Sequence, residues 1–128
     1  MTLLLDTHAF IWWDGEPGRL PAKVLALCQD PSNDLALSVA SLWEMQIKAG
    51  MGKIKLRKPL PTLVEDQRQM NGLRLIDVRA QHVFALGSLP AIHKDPFDRI
   101  IVVQARVEGF RLVTHDAILA AYDADVVW

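Results

Sequence analysis

Little in this chain could cross-link it, anchor it or set a single dominant charge. Its 128 residues include one cysteine, Cys28, so no internal disulfide can form, and Val24, Leu25 and Leu27 around it mark the thiol as a small buried hydrophobe. No sign of charge prevails: 14 Lys and Arg stand against 15 Asp and Glu, a net of −1. That balance excludes whole-surface attraction to nucleic acid and leaves any phosphate affinity to local clusters. No apolar run approaches the roughly 20 residues that a membrane helix needs. Met1-Thr2-Leu3-Leu4-Leu5 meets Asp6 before acquiring the basic leader or the length of a secretory signal. Repeats and low-complexity segments are missing as well. The expectation is a soluble cytoplasmic protein with no membrane partner. At 51% hydrophobic residues the chain has material for one substantial core, which points to a single domain over residues 1–128.

What is present is an alternation of short apolar runs and helical patterns. Leu3–Leu5 has no polar member, as expected of a strand buried on both faces; Leu35–Leu37 is a second apolar run, and Phe110–Thr114, despite Arg111, reads as another buried-type strand. Leu73–Val78 and Val126–Val127 complete the candidate strands. Helices are predicted over Pro21–Gln29, Val39–Ala49 (Ser38 as cap, Gly50 as stop), Leu60–Met70, Ala80–Leu86 and, briefly, Asp116–Ala120. The best-defined helix starts at Asp95-Pro96 and stops at Gly109, with Asp as N-cap, Pro at the first helical position and Gly just past the end. Strands alternating with helices predict right-handed βαβ units, hence an α/β fold with three α/β/α layers and a mostly parallel central sheet. In such sheets ligands bind beyond the carboxyl ends of the strands.

That rule selects carboxylates. Asp6 closes the first strand, Glu44 lies in the helix after the second, Asp98 sits in the first turn of the Pro96 helix, and Asp116 follows the Phe110 strand. Carboxylates gathered at one edge repel one another unless a cation neutralises them. Oxygen-only donors favour Mg²⁺ or Mn²⁺ over zinc, and no His/Cys cluster has zinc spacing. Each acid also has a plain structural role open to it. Asp6 can end a strand in an Asx turn, Glu44 can join Ser41 in a capping box or pair with Lys48, Asp98 favours the helix dipole, and Asp116 can cap the helix after it. Asp95 is explained by capping.

Taken together, Leu3-Leu4-Leu5-Asp6-Thr7, Ser38-Val39-Ala40-Ser41-Leu42-Trp43-Glu44, His93-Lys94-Asp95-Pro96-Phe97-Asp98-Arg99 and Leu112-Val113-Thr114-His115-Asp116 resemble the PIN-domain family in order and spacing. The likeness is nearest to its toxin branch, the VapC-type ribonucleases of type II toxin–antitoxin pairs. It implies a single PIN-like nuclease domain that hydrolyses RNA phosphodiester bonds through metal-activated water. Asp6, Glu44, Asp98 and Asp116 would hold one or two Mg²⁺ or Mn²⁺ ions, with Asp95 and Thr114 as accessory residues. The resemblance also implies an RNA substrate, a cognate antitoxin and a homodimer. One departure stands out: many relatives carry Asn near position 116 and a further Asp one helical turn later, where this chain has Leu119, so Asp116 is left to serve for both.

From Met45 to Val64 there is no acidic residue, while Lys48, Lys53, Lys55, Arg57 and Lys58 are basic. Lys48, Lys53 and Lys55, with Arg99, are the candidate RNA contacts, although such a run is more often a solvated face or a partner-binding arm. Trp12, Trp13 and Trp43 are read as core or dimer-interface packing in preference to base stacking, and His93 and His115 as structural. Other functional classes remain as alternatives: a PIN-like interaction domain without catalysis, and a phosphatase using Asp6 as nucleophile. The phosphatase pattern wants a second Asp at position 8, which is His.

Overall fold

A computed structural model describes residues 1–128. Its organisation follows from Leu3, Leu4 and Leu5, all fully buried. Alternate strand residues face opposite ways, so Leu3 and Leu5 enter one apolar cluster and Leu4 enters another. A strand with no polar face has to be covered on both sides. β1 (Thr2–Leu5) is accordingly the middle of a five-stranded sheet, between β2 (Asp34–Ser38) and β4 (Arg111–Val113), with β3 (Arg74–Ile76) and β5 (Val126–Val127) at the edges. The order is β3-β2-β1-β4-β5 and every pair is parallel.

Helices form the outer layers: α1 (Thr7–Gly15), α2 (Ala22–Gln29), α3 (Val39–Gly50), α4 (Leu60–Asn71), α5 (Ala80–Ala85) and α6 (Pro96–Glu108). Phe10 of α1, Val24 of α2 and Leu63 of α4 pack with Leu3 and Leu5, whereas Ile101, Val102 and Val103 of α6 pack with Leu4. α3 reaches both sides, Met45 joining the first cluster and Ala40 the second. The three-layer α/β/α arrangement expected from the sequence is therefore what the chain forms.

Helix ends follow the local chemistry. Asp95 accepts from Phe97 N and Asp98 N, Pro96 fills the first turn, and Gly109 closes α6 at φ 71°. Ser38 Oγ accepts from Ala40 N to start α3. Five elements depart from expectation. α1 occupies a segment for which the pattern offers no helix. α3 runs through Gly50, its expected stop, and the left-handed residue is Gly52 at φ 71°. β3 and β4 are shorter than the segments expected for them, and their carboxyl ends stop level with those of β2 and β1. The helix expected over Asp116–Ala120 is a 3₁₀ turn at Leu119–Ala121, preceded by a turn in which Asp116 Oδ1 accepts from Ile118 N.

After β1 the chain builds β2 and β3 on one side, then returns to place β4 on the other. The carboxyl ends of β1 and β4 therefore flank the point where the winding reverses, and there the diverging connections leave a crevice.

Candidate functional site

Two residues frame that crevice from the sheet. Asp6 N–H still bonds Val113 O at 3.0 Å, as a continuation of the ladder, while its Oδ1 turns to accept from Ala9 N at 2.8 Å and caps α1. Its other oxygen accepts the Thr114 hydroxyl at 2.5 Å, a bond bridging the ends of β1 and β4. Thr114 in turn accepts from Asp116 N at 3.1 Å, which sets the path of the chain into the following loop. Asp6 is 6% exposed, and burial raises its carboxyl above the usual value despite the bonds from Thr114 and Ala9.

From α6, Asp98 joins Asp6 and Asp116 in lining an open cleft of ≈ 770 Å³. Burial, and then the charges of Asp95, Asp6 and Glu44, push the Asp98 carboxyl up to about 7. Asp116 behaves differently: desolvation works to raise it, but the Ile118 N–H and His93 outweigh burial and hold it below the ordinary carboxylate value.

His93 organises this edge. Its Nδ1 accepts the backbone N–H of Asp95 at 3.0 Å, which assigns the ring proton to Nε2. That Nε2–H is aimed at Asp116 Oδ2 at 2.9 Å, with Asp98 Oδ2 at 3.4 Å. Although the ring nitrogen and the two carboxylates lie within 4.8 Å of one another, coordination through Nε2 would require the ring to surrender its bond to Asp95. With its proton on Nε2, His93 is a donor that steers the two carboxylates. The loop carrying it is braced by Arg99, whose guanidinium donates to the carbonyls of Leu89, Pro90 and His93, and by Tyr122 Oη, which accepts from His93 N.

Glu44 is 2% exposed and stands behind the cleft. Thr7 Oγ1 lies 2.5 Å from its Oε1 and 3.1 Å from Ser41 Oγ, so the single hydroxyl proton goes to the carboxylate and Ser41 donates to Thr7. Lys48 Nζ takes the other oxygen at 2.5 Å, and this bond raises the Lys48 pKa. The i,i+4 pair is thus realised instead of the capping box, while the charge of Glu44 still acts on Asp6 and Asp98.

Of the four acids proposed from sequence, the structure brings Asp6, Asp98 and Asp116 to one cleft and keeps Glu44 bonded beside it. Asp95 caps α6, and Thr114 contacts Asp6 and not solvent. Leu119 is fully buried, so that position belongs to the core. None of the four suggested RNA-contacting cations lines the cleft. Lys48 is paired with Glu44, Arg99 holds backbone carbonyls, and Lys53 and Lys55 are exposed elsewhere. The neighbouring Arg57 and Lys58 pair with Asp14 and Asp66. Sequence reasoning missed His93 and Thr7 as positioning groups, although His-x-Asp-Pro and Asp-Thr placed both beside recognised acids.

Comparison with known proteins agrees with this fold. The PIN domain family model matches residues 3–125. Ribonuclease VapC22 of Mycobacterium tuberculosis is 30% identical over 122 residues, covering 94% of this chain and 92% of that protein. Among solved structures, VapBC2 from Rickettsia felis bound to a promoter DNA fragment superposes with a TM-score of 0.72 at 20% identity, covering 99% and 98% of the two chains. DNA-bound VapBC from Salmonella typhimurium gives 0.67 at 16% identity, covering 99% and 97%. With a family match running almost end to end over a sheet whose carboxyl edge gathers these acids, the chain belongs to the PIN domain family.

Proposed function

We propose that the chain is a divalent-metal-dependent endoribonuclease, a single nuclease domain over residues 1–128 acting in the cytoplasm as the toxin of a toxin–antitoxin pair. The observation that carries this reading is the lining of one open cleft by Asp6, Asp98 and Asp116, with Asp98 pushed up to about 7 by its neighbours. A site that disfavours its own negative charge is suited to a cation. All-oxygen donors fit Mg²⁺ or Mn²⁺, one or two ions, held by Asp6, Asp98 and Asp116 with Glu44 adding charge from behind. The chemistry supplied by such a cation, when bound, is activation of water and neutralisation of charge on the phosphodiester oxygens.

The protein's own groups provide position. Thr114 fixes the outer oxygen of Asp6, His93 holds Asp116 and Asp98 together, and the Asp95 cap sets the turn of α6 on which Asp98 rides. Rigid carboxylates lower the reorganisation needed when charge develops on the substrate. The relative in Mycobacterium tuberculosis is named a ribonuclease, which supports RNA as substrate, and the VapBC structures support control by a cognate antitoxin, a segment of which would fill the cleft. A homodimer is supported by the apolar groove lined by Trp43, Phe97, Val83 and Ile100 between α3, α5 and α6, where Trp43 is 65% exposed.

The test is cleavage of a mixed structured RNA pool by purified protein, with Mn²⁺ and with chelator, beside Asp98→Asn prepared identically. Cutting that needs both metal and Asp98 is the expected result. Cutting that persists in the variant would assign the activity to a contaminant or to another site.

A further inference from the structure

The acid-lined cleft has a second wall with the opposite chemistry. Trp12, Arg19, His8 and His115 line it beside Asp6, Asp98 and Asp116, and Arg19 is the one arginine or lysine that does so. The Arg19 guanidinium carbon stands 4.6 Å from the centre of the Trp12 ring. His115 meets Trp12 edge-on at 5.9 Å and Trp128 at 5.4 Å, and Trp128 closes the group at 5.7 Å from Trp12. Trp12 and Trp128 are partly buried against the core, which accounts for their inner surfaces, whereas His115 and Arg19 are exposed and lie outside the core. Beyond its place over Trp12, Arg19 makes a loose 3.7 Å contact with the exposed Glu16.

Resting on the ribonuclease reading, we infer that this wall is a nucleotide subsite: an unpaired base of single-stranded RNA stacks on the Trp12–His115 surface while Arg19 takes a phosphate next to the one being cleaved. Aromatic and guanidinium planes offer π surface to any unstacked base, and a positive charge offsets the repulsion that the acids impose on an approaching backbone. A duplex keeps its bases stacked and presents none to such a surface. Selection of single-stranded over paired RNA therefore resides in this wall, apart from the carboxylates, and the cation of the cleft is Arg19 and not the Lys48–Lys58 run.

The test uses the full chain carrying Asp98→Asn, so that binding is read without cutting, and an unstructured oligouridylate of about eight nucleotides. Binding is followed by oligonucleotide anisotropy and by quenching of tryptophan emission. His115→Ala and Arg19→Gln, both surface changes, are each expected to weaken binding about tenfold. Trp12→Phe, which keeps the core filled, is expected to remove most of the quenching. A duplex of the same length is expected to bind about tenfold more weakly than the single strand. Undiminished affinity in both surface variants, or equal affinity for duplex and single strand, overturns the subsite. The same substitutions in the otherwise wild-type chain separate the two readings. Metal-dependent cleavage unaffected by His115→Ala and Arg19→Gln overturns the subsite and leaves the nuclease standing. No cleavage, with single-strand binding that still depends on both residues, overturns the nuclease and leaves the subsite.

Discussion

Two histidines in this molecule are wired alike and surrounded differently. His82 of α5 accepts the Arg79 N–H at Nδ1 and directs Nε2 at Glu108 of α6, just as His93 accepts the Asp95 N–H and directs Nε2 at Asp116. Around His82 the charges balance. The His82 bond, and then Arg79 at 2.9 Å, outweigh desolvation and hold Glu108 below its ordinary value. Around His93 they do not: Asp98 is pushed up to about 7 because Asp95, Asp6 and Glu44 add to its burial. A histidine–carboxylate pair is thus no mark of function. The uncompensated negative charge sets the second site apart and is what the proposed cation would neutralise, whereas the balanced first site is a clamp joining two helices.

The sharpest way to break this comparison is to delete a carboxylate at each place. Asp6→Asn should lower metal-dependent cleavage about a thousandfold or more, since several kcal/mol of charge stabilisation depend on the bound ion, whereas Glu108→Gln should leave the rate unchanged. Stability should respond in the reverse sense. His82 is fully buried, and His82→Ala leaves a cavity and an unpaired Arg79 N–H, a loss of about 2–4 kcal/mol in urea unfolding. His93→Ala, at a site where the ring is 14% exposed, should cost about 1 kcal/mol and show itself mainly in slower cleavage.

A smaller effect sharpens the contrast through pH. Asp98 titrates near 7 in the fold against about 3.9 in the unfolded chain, so the folded protein holds the extra proton between those values. This contribution to the stability of the metal-free protein is full below pH about 4 and is lost as pH rises through about 7. Thermal unfolding in chelator should therefore show stability falling across that window, with a shallower fall in Asp98→Asn. Glu108 has a lowered value, so its contribution is present at neutral pH and disappears only as pH falls through the acid range. Glu108→Gln should leave the slope between pH 5 and 8 as it is.

The parts of the fold that were legible are those whose signals are local. Leu3–Leu5 declared a doubly buried strand, and Asp95-Pro96 with Gly109 declared both ends of α6. α1 was not legible because Phe10, Ile11, Trp12 and Trp13 are apolar in succession and leave no polar stripe to reveal a helical period, and no acidic residue occupies its first turn. Its one clue was Asp6, whose capping role competes on paper with the end of a strand. Asp6, Asp98 and Asp116 stood out as strand-end or helix-start residues, and Glu44 only as a carboxylate within the helix after β2. Their division of labour was not legible, since whether Glu44 faces the cleft or Thr7 and Lys48 depends on how α1 and α3 meet across 37 residues of sequence. The same holds for Arg99, which stands beside Asp98 in sequence but is drawn to the Leu89–His93 carbonyls by the fold of that loop.

The central claim, that the charge imbalance at the β1–β4 edge makes a cation site, is tested most directly by the unfolding free energy at pH 8 with and without Mn²⁺. Mn²⁺ at about a hundred times its dissociation constant should add about 2.7 kcal/mol to the wild type, as much to Glu108→Gln, and little to Asp98→Asn. Equal stabilisation of Asp98→Asn, or none in the wild type, would contradict the account.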